Sequence, residues 1–253
     1  MKNILFVLPT LRNGGGVIRG LQNMLSLMPT DKYVIHVLPM GYSDSNNVVL
    51  ENCRLLDDNF VLTSITAIYT ECKDYKWRLL LWVAKTVLRL LGMLKLRVSA
   101  VNCMFKYASK KYSGYDIVIA YEEGLCTHFV QHINAARRIA WIHCDYTRYL
   151  EIVGNRSEET IYQKFQNIVC VSKYTLENFL AIYPSLRSQS TFIHNLLDVR
   201  RIQESSTEEC WDYAFAKDIV TLVSVGRIDP VKQFYRIPQI IAEMKKQGVT
   251  NFR

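Results

Sequence analysis

Short apolar runs alternate with longer amphipathic stretches along most of the chain. Lys2 to Leu8 is a β-rich apolar run, Pro9 to Gly16 is a glycine-containing loop, and Val17 to Met28 has helical spacing. Val34 to Pro39 is a second apolar run. The chain therefore opens as a strand–helix–strand unit, which is typical of a parallel sheet.

The same alternation continues beyond the first unit. The further predicted strands are Ile117–Ala120, Arg138–Ile142, Asn167–Val171 and Ser190–His194, and the predicted helices among them include Glu123–Asn134 and Lys173–Tyr183. Short strands that are apolar on both faces favour a doubly wound parallel sheet covered by helices on both sides. We therefore expect a Rossmann-like α/β domain over residues 1–205.

The pattern changes after Asp198. A polar, acidic stretch from Glu204 to Glu209 precedes a predicted strand at Ile219–Val225, a loop at Gly226–Lys232 and a predicted helix at Phe234–Gln247. The helix should end at Gly248, because glycine is a frequent helix stop signal. A single strand and helix cannot bury their apolar faces, so we expect residues 206–253 to be a linker and the incomplete start of a second domain.

Composition and charge exclude several classes of protein. Hydrophobic residues make up 49% of the chain and charged residues 21%, which is typical of a globular protein. The net charge is +8, but ten Lys or Arg and one acid lie between Lys73 and Lys111, so the excess is local. This favours one basic surface over a nucleic-acid-binding coat. The seven scattered cysteines contain no CxxC pair, which argues against a disulfide framework or zinc site and suits a reducing cytoplasm.

The basic surface includes an apolar stretch from Trp77 to Val98, WRLLLWVAKTVLRLLGMLKLRV. Lys85 and Arg89 interrupt it, so no uninterrupted run approaches the roughly 20 residues of a membrane span. Aliphatic and Trp residues with interspersed cations favour a helix that lies in the membrane interface. The alternative is a buried helix whose cations extend to the solvent.

Several polar residues follow predicted strands, where open α/β sheets bind ligands. Gly15 and Gly16 follow the first strand, and their backbone N–H groups could approach a phosphate or a sugar, although many sheets use glycine there only for a tight turn. His143 follows the predicted strand Arg138–Ile142, and it can bond a sugar hydroxyl, move a proton or act structurally. Ser172 is a natural helix N-cap, and Asn195 follows the last strand.

Two cations lie in the second strand–loop–helix segment. Arg227 and Lys232 are five residues apart in the loop before the helix, which suits a diphosphate whose charge must be neutralised. The simpler interpretation is two solvated surface cations. The dinucleotide fingerprint GxGxxG is not met, and no acidic residue closes a plausible second strand, so an NAD-dependent oxidoreductase is a weak third hypothesis.

Six segments together resemble family 4 glycosyltransferases, which have the two-domain GT-B fold. They are Phe6-Val-Leu-Pro-Thr-Leu-Arg-Asn-Gly-Gly-Gly with Arg19 and Leu21, Asp116-Ile-Val-Ile-Ala-Tyr-Glu-Glu-Gly, Ala140-Trp-Ile-His-Cys-Asp, Ile168-Val-Cys-Val-Ser-Lys, Phe192-Ile-His-Asn-Leu-Leu-Asp and Val223-Ser-Val-Gly-Arg-Ile-Asp-Pro-Val-Lys. They occur in the family's order and span nearly the whole chain. Gln233, where the family often has Gly, and Val17-Ile18, in place of Ala-Glu, are departures.

The resemblance implies a retaining hexosyltransferase that needs no metal or other cofactor. His143 would line the cleft as the catalytic residue, Gly15, Gly16 and Asp145 would bind the acceptor, and Arg227 and Lys232 would bind the donor diphosphate. Ser172 and Asn195 would border the cleft. The donor would be a nucleoside diphosphate sugar, and the acceptor a glycan or lipid-linked sugar at the inner face of the membrane.

In the family, a Glu-x7-Glu segment that holds the donor sugar and ribose lies deep in the C-terminal domain, at a place later than Arg253. We therefore expect the chain as given to lack the full donor site and to be inactive alone. A second hypothesis follows, in which the chain is a non-catalytic remnant or partner subunit that binds acceptor or membrane.

Overall fold

A computed structural model describes residues 1–11, 15–41, 48–56, 60–66, 78–93, 96–154, 157–208, 219–226, 228 and 230–253. The chain divides into two compact units, Met1–Asp198 and Val199–Arg253. We call them unit 1 and unit 2 and describe each by itself.

Unit 1 is built on one seven-stranded sheet in which every paired strand is parallel. The strands are β1 (Lys2–Leu8), β2 (Tyr33–Pro39), β3 (Arg54–Leu55), β4 (Ile117–Ala120), β5 (Arg137–Ile142), β6 (Asn167–Cys170) and β7 (Ser190–Phe192). Their order across the sheet is β3-β2-β1-β4-β5-β6-β7. The prediction of a Rossmann-like parallel α/β domain is confirmed at this level.

Helices flank the sheet. In unit 1 they are α1 (Gly16–Leu27), α2 (Phe60–Thr66), α3 (Arg78–Met93), α4 (Arg97–Ser109), α5 (Leu125–Val130), α6 (Tyr146–Val153), α7 (Glu159–Tyr162) and α8 (Lys173–Ile182). Unit 2 has its own helices, α9 (Val199–Ser206) and α10 (Ile237–Lys246). No helix in the described ranges is long and apolar enough to cross a membrane.

The strands are apolar on both sides because a core lies on each face of the sheet. Leu5 and Val7 of β1 face a core that also contains Phe129 of α5, whereas Phe6 faces a second core that contains Leu21 of α1. All five side chains are fully buried. Burial on both faces explains why these strands read as continuous apolar runs.

The strand order reverses at β1, which has β2 on one side and β4 on the other. In open parallel sheets, the connections leave to opposite faces at such a point, and a crevice forms beyond the carboxyl ends of the strands. The loops that follow β1, β4 and β5 meet at this edge of the sheet. It is therefore the natural place for a ligand site in unit 1.

Two predicted helices differ from the observed ones. The predicted helix Glu123–Asn134 is shorter, because Gly124 has a φ of 77° before α5 begins at Leu125, and α5 ends at Val130. The predicted helix Phe234–Gln247 begins with a 3-10 turn, so α10 starts only at Ile237. Gly248 does follow α10 with a φ of 80°, as expected of a helix stop.

The predicted strand Ile219–Val225 is wrong for the described part of unit 2. There, Val220 forms a single isolated parallel bridge with Phe252, and Val225 is 92% exposed. An apolar parallel strand is stable when neighbouring strands pair with both of its edges. The described residues of unit 2 supply only the short Phe252 segment, so the run remains outside any regular sheet.

Candidate functional site

The carboxyl edge of the sheet gathers most of the candidate residues of unit 1. Gly15 and Gly16 follow β1, His143 and Asp145 follow β5, Ser172 follows β6, and Asn195 follows β7. Because the strands are parallel, these segments leave the sheet at the same edge. The order of the strands, and not closeness in sequence, brings them together.

His143 is held against the loop that follows β4. Its backbone N–H donates to Glu123 Oε2 over 3.0 Å, and its ring lies edge-on to the Tyr121 ring with the centroids 4.9 Å apart. Burial lowers the pKa of His143 to about 4, and a hydrogen bond to the Tyr121 backbone opposes this shift only in part. The imidazole is therefore neutral at physiological pH.

The other feature of His143 is an unpartnered ring nitrogen. Nε2 is buried and has no hydrogen-bond partner in the described part of the chain. In a neutral imidazole one nitrogen carries the proton and the other a lone pair, so Nε2 can form a hydrogen bond with a ligand. In the tautomer with the proton on Nδ1, Nε2 accepts that bond.

Two further buried polar atoms belong to Tyr121, whose ring contacts this imidazole, and to Trp141, whose ring contacts Tyr121. Tyr121 Oη and Trp141 Nε1 also have no hydrogen-bond partner among the described residues, and the Tyr121 and Trp141 ring centroids are 5.3 Å apart. Together with His143 they form what we call the Tyr121 cluster. A buried polar group without a partner costs about 1–3 kcal/mol, so such groups concentrate where a ligand or water completes them.

The sequence pattern did not single out Tyr121 or Trp141. Trp141 belongs to the predicted strand Arg138–Ile142, and Tyr121 directly follows the predicted strand Ile117–Ala120. An aromatic residue at such a place usually fills the core. They do pack in the core beside α1. What makes them candidates is the position of their polar atoms, and only the folded structure provides that.

A pair of carboxylates lies in the same loop. Burial, and then the charge of Glu123, raises the pKa of Glu122 to about 7. A carboxyl group with a pKa near neutrality is suited to general acid–base catalysis. Sequence reasoning missed Glu122 as a site residue, although two consecutive acids one residue after a predicted strand were a usable signal.

The turn after β7 reaches the Tyr121 cluster over α1. A methyl group at Gly20 would lie 3.4 Å from the Asn195 side chain and 3.5 Å from Tyr121 Oη, so α1 approaches both closely. The bond that fastens this turn to α1 comes from Asn23, whose Nδ2 donates to the Leu196 carbonyl over 2.8 Å. This leaves the exposed Asn195 amide next to the cluster.

Two of the predicted residues cap helices. The Asp145 carboxylate accepts the Arg148 N–H over 3.2 Å at the start of α6, and Tyr174 Oη donates to it over 3.4 Å. Ser172 Oγ accepts the Thr175 N–H over 3.1 Å at the start of α8, which confirms the N-cap prediction. These caps fix the first turns of helices that follow β5 and β6.

The two glycines before α1 are sterically open. A methyl group at Gly15 or Gly16 would meet no atom within 4 Å. Gly15 is the N-cap of α1, and no side chain caps that end of the helix. Its backbone N–H groups, with the positive end of the helix dipole, therefore face outwards from the carboxyl edge.

The predicted diphosphate residues belong to unit 2. Arg227 lies outside the described residues. Lys232 is exposed at the end of a 3-10 turn, Pro230–Lys232, and a methyl group at Gly226 would lie 3.8 Å from its Cγ. The loop therefore brings the stem of Lys232 close to Gly226, at the start of the segment predicted to bind phosphate.

A second buried polar cluster in unit 1 has the opposite character. The buried carboxylate of Glu158 lies 2.8 Å from His128 Nε2 and accepts the hydroxyls of Tyr146 and Tyr149 over 2.6 and 3.2 Å. The Glu158 N–H donates to Tyr183 Oη over 3.0 Å. We call these five residues the Glu158 cluster.

The pKa of Glu158 reports the balance of these contacts. Burial would raise it, but the hydrogen bonds from His128, Tyr146 and Tyr149 and the charge of His128 hold it below its ordinary value. The carboxylate is thus stabilised by partners from α5 and α6. Within this cluster His128 has a structural role, because its ring bonds the Glu158 carboxylate.

Other kinds of site find little support in the described ranges. No group of three His, Cys, Asp or Glu there could hold a metal ion, and the described cysteines are free. An open depression of about 370 Å³ is lined by residues at the starts of β1 and β2, Met1, Lys2, Asp31, Lys32 and Tyr33. It lies at the amino edge of the sheet, away from the candidate residues.

No protein-family model matches the chain, and no curated protein matches it.

Proposed function

We propose that the protein is a nucleotide-sugar-dependent hexosyltransferase with a GT-B arrangement. Unit 1 is the acceptor-side domain, and unit 2 begins the donor-side domain. The hexose passes from a nucleoside diphosphate sugar to a surface glycan or a lipid-linked precursor of capsule, lipopolysaccharide or exopolysaccharide. The resemblance of the six sequence segments supports this proposal, because five of them belong largely to unit 1 and border its carboxyl edge.

The observation that carries the proposal is the Tyr121 cluster. Its polar atoms are neutral, and they offer a hydroxyl, an indole N–H and an imidazole acceptor within one group of packed rings. Sugar hydroxyls donate and accept hydrogen bonds and carry no charge, so a neutral mixed set of this kind matches them. A charged metabolite would call for cations or a helix N-terminus instead.

The residues divide the chemistry among them. His143, with its pKa near 4, accepts a hydrogen bond from a sugar hydroxyl and is too weak a base to hold a proton at neutral pH. Transfer breaks the bond between the anomeric carbon and the diphosphate and forms a bond to the acceptor oxygen, whose proton must leave. Glu122 is the described carboxyl group suited to receive it, because its pKa is about 7.

The remaining residues bind and position. Arg227 and Lys232 neutralise the departing diphosphate, and the open backbone at Gly15 and Gly16 contacts the acceptor. Asp145 holds the first turn of α6, which fixes the segment that carries His143. The reaction takes place in the cytoplasm at the inner face of the membrane.

One observation favours a second candidate, a non-catalytic acceptor-binding or membrane-binding subunit. None of the described residues of unit 2 is buried, so that unit contributes no core of its own within the described ranges. In this case unit 1 would hold a glycan without transferring sugar to it.

The test is a transfer assay on membranes from source cells that lack the gene and are complemented with the whole protein. The membranes receive radiolabelled UDP-glucose, UDP-galactose, UDP-N-acetylglucosamine or GDP-mannose in separate reactions. Labelled lipid or polysaccharide should appear with one donor, and His143→Ala should lower its rate about a hundredfold. No label above the uncomplemented membranes with any donor contradicts the proposal, and retained glycan binding would then identify the second candidate.

His132→Gln is the matched control. His132 also has a buried Nε2 without a partner in the described part of the chain. It lies towards the start of β4, because the carbonyl of Asn134, two residues later, accepts the N–H of Gly114, three residues before that strand. Its substitution should leave the rate within about twofold of the unmodified protein.

A further inference from the structure

Helix α3 carries an exposed apolar face that the core of unit 1 does not use. Among the side chains of α3 whose exposure the structure describes, Leu88 is buried, with 3% exposed, and α3 packs against α2 and α4. The exposed large apolar residues of the helix are Trp82, Val83, Val87, Leu90 and Met93. Trp82 is 64% exposed and Met93 is 74% exposed, so the face is open along most of the helix.

These residues share one side of the helix. At about 100° per residue, Trp82, Leu90 and Met93 fall within one quarter of the circumference, and Val83 and Val87 extend it, whereas Leu88 lies on the far side. The apolar stripe is therefore continuous along α3. It differs from single exposed apolar residues, which are common on protein surfaces.

The one polar residue within the stripe has its hydroxyl satisfied inside the helix. Thr86 Oγ1 donates to the Trp82 carbonyl oxygen over 2.9 Å. A hydroxyl bonded in this way does not depend on water for a partner. When the stripe is transferred out of water, the Thr86 hydroxyl therefore keeps its hydrogen bond, and the cost of desolvating it is small.

Three cationic positions follow one edge of the stripe. Arg78, Lys85 and Arg89 are seven and four residues apart, which places these positions on one side of the helix, and Arg89 is exposed. The sequence between Lys73 and Lys111 holds ten cations and one acid. A broad apolar stripe with cationic positions along one edge complements a surface that has an anionic outer layer and an apolar layer beneath it.

We propose that the exposed side of α3 docks onto an anionic bilayer surface, with the helix lying in the plane of the interface. The apolar stripe enters the boundary between headgroups and acyl chains, and the cations bind lipid phosphates. A second copy of this chain is a poorer occupant, because pairing two such helices would bring their cations together. This inference deepens the proposed function, which places the acceptor at the membrane, and its test does not depend on sugar transfer.

The test is flotation of the full chain with lipid vesicles. Phosphatidylcholine vesicles containing about one third phosphatidylglycerol should carry the chain, and added salt or pure phosphatidylcholine should weaken binding strongly. Arg89→Gln should lower the partition coefficient about fivefold. Val87→Glu, which introduces a carboxylate in the stripe, should lower it about thirtyfold or more.

Ile152→Glu is the matched control for Val87→Glu. Ile152 is an exposed aliphatic residue on α6 of the same unit, so its substitution makes the same change of charge outside the stripe. The loss in partition coefficient that it causes should be at least about fivefold smaller than the loss caused by Val87→Glu. Circular dichroism of both variants checks that the chain remains folded.

Three results would overturn the inference. They are no binding to either kind of vesicle, equal losses with Val87→Glu and Ile152→Glu, and a dimer in solution that Val87→Glu dissociates. Binding to anionic vesicles in a protein that transfers no sugar would support the inference and remove the proposed transferase. Sugar transfer by a protein that does not bind vesicles would do the reverse.

Discussion

The Glu158 cluster and the Tyr121 cluster lie buried in the same unit, yet they differ in how their polar atoms are satisfied. Glu158 has bonds from three side chains, and its backbone N–H bonds a fourth. In the Tyr121 cluster, Tyr121 Oη, Trp141 Nε1 and His143 Nε2 have no partner among the described residues.

This difference separates a structural role from a binding role. A fully partnered buried network strengthens the fold, because every desolvated group regains a hydrogen bond. An unpartnered group lowers stability and is retained where a ligand supplies the missing bond. We therefore interpret the Glu158 cluster as a hydrogen-bond network that stabilises the packing of α5 against α6. We interpret the Tyr121 cluster as the sugar-binding part of the site.

The largest expected effect on stability comes from Glu158→Gln. Removing the carboxylate charge weakens bonds from His128, Tyr146 and Tyr149, and we expect the free energy of unfolding to fall by about 2–3 kcal/mol at pH 7. Urea denaturation measures it. Glu151→Gln, an exposed acid on α6, should change it by less than about 0.5 kcal/mol. Equal effects at the two positions would show that the cluster does not stabilise the fold.

The pH dependence of that effect has a definite sign. The pKa of Glu158 is lowered in the folded protein, so its contribution is present above the ordinary value of 4.5 and is lost as the pH falls through the folded value. The difference between the wild-type protein and Glu158→Gln should therefore shrink below pH 4.5. A constant difference across this range would contradict the assignment.

The two tyrosines permit the same chemical change in each cluster. Both rings are fully buried, but Tyr146 Oη donates to Glu158 whereas Tyr121 Oη has no partner in the described part of the chain. Tyr146→Phe should lower the free energy of unfolding by about 2 kcal/mol, and Tyr121→Phe should leave it unchanged or raise it by up to about 1 kcal/mol. Thermal unfolding of both variants compares them, and a larger loss for Tyr121→Phe would invert our interpretation.

Glu122→Gln should show a pH dependence opposite to that of Glu158→Gln. The pKa of Glu122 rises from 4.5 to about 7 on folding, so its contribution is fully present below pH 4.5 and is lost as the pH rises through about 7. As the pH rises from 4.5 through about 7, the free energy of unfolding of the glutamine variant should increase by about 1–2 kcal/mol relative to that of the wild-type protein. This range takes account of the partial exposure of the Glu122 side chain. Urea denaturation at a series of pH values measures the gain, and a flat difference would remove Glu122 as a base.

The smallest expected effect is at Ser172. Ser172→Ala removes the N-cap of α8 and should cost about 1 kcal/mol in the free energy of unfolding. Sugar transfer below the melting temperature should be unaffected if the residue only caps the helix. A loss of transfer without a loss of stability would assign Ser172 to the site instead.

The sheet of unit 1 was predictable because its strands are buried on both faces and so appear as apolar runs. His143 and Ser172 were predictable for a related reason, since each directly follows such a run. The failed strand Ile219–Val225 shows the limit of this signal. Apolar character marks a segment suited to a sheet, but pairing requires neighbouring strands, and the described residues of unit 2 provide only the bridge at Phe252.

The polar clusters were not predictable from local patterns. Glu158 meets His128, which is 30 residues away in sequence, and Tyr146, which is 12 residues away. Only the packing of α5, α6 and the loop before α7 brings them together. Likewise, an aromatic residue directly after an apolar run is expected to be buried, but nothing in the sequence indicates that the Tyr121 hydroxyl lacks a partner among the described residues.

The most direct test of the account measures sugar transfer and thermal stability together for Tyr121→Phe and Tyr146→Phe. Tyr121→Phe should retain full thermal stability. Assayed below both melting temperatures, it should transfer sugar about tenfold more slowly, because it loses one hydrogen bond to the sugar. Tyr146→Phe should melt at a lower temperature and transfer sugar at the wild-type rate. Full transfer by Tyr121→Phe would contradict the claim that the unpartnered cluster binds the sugar.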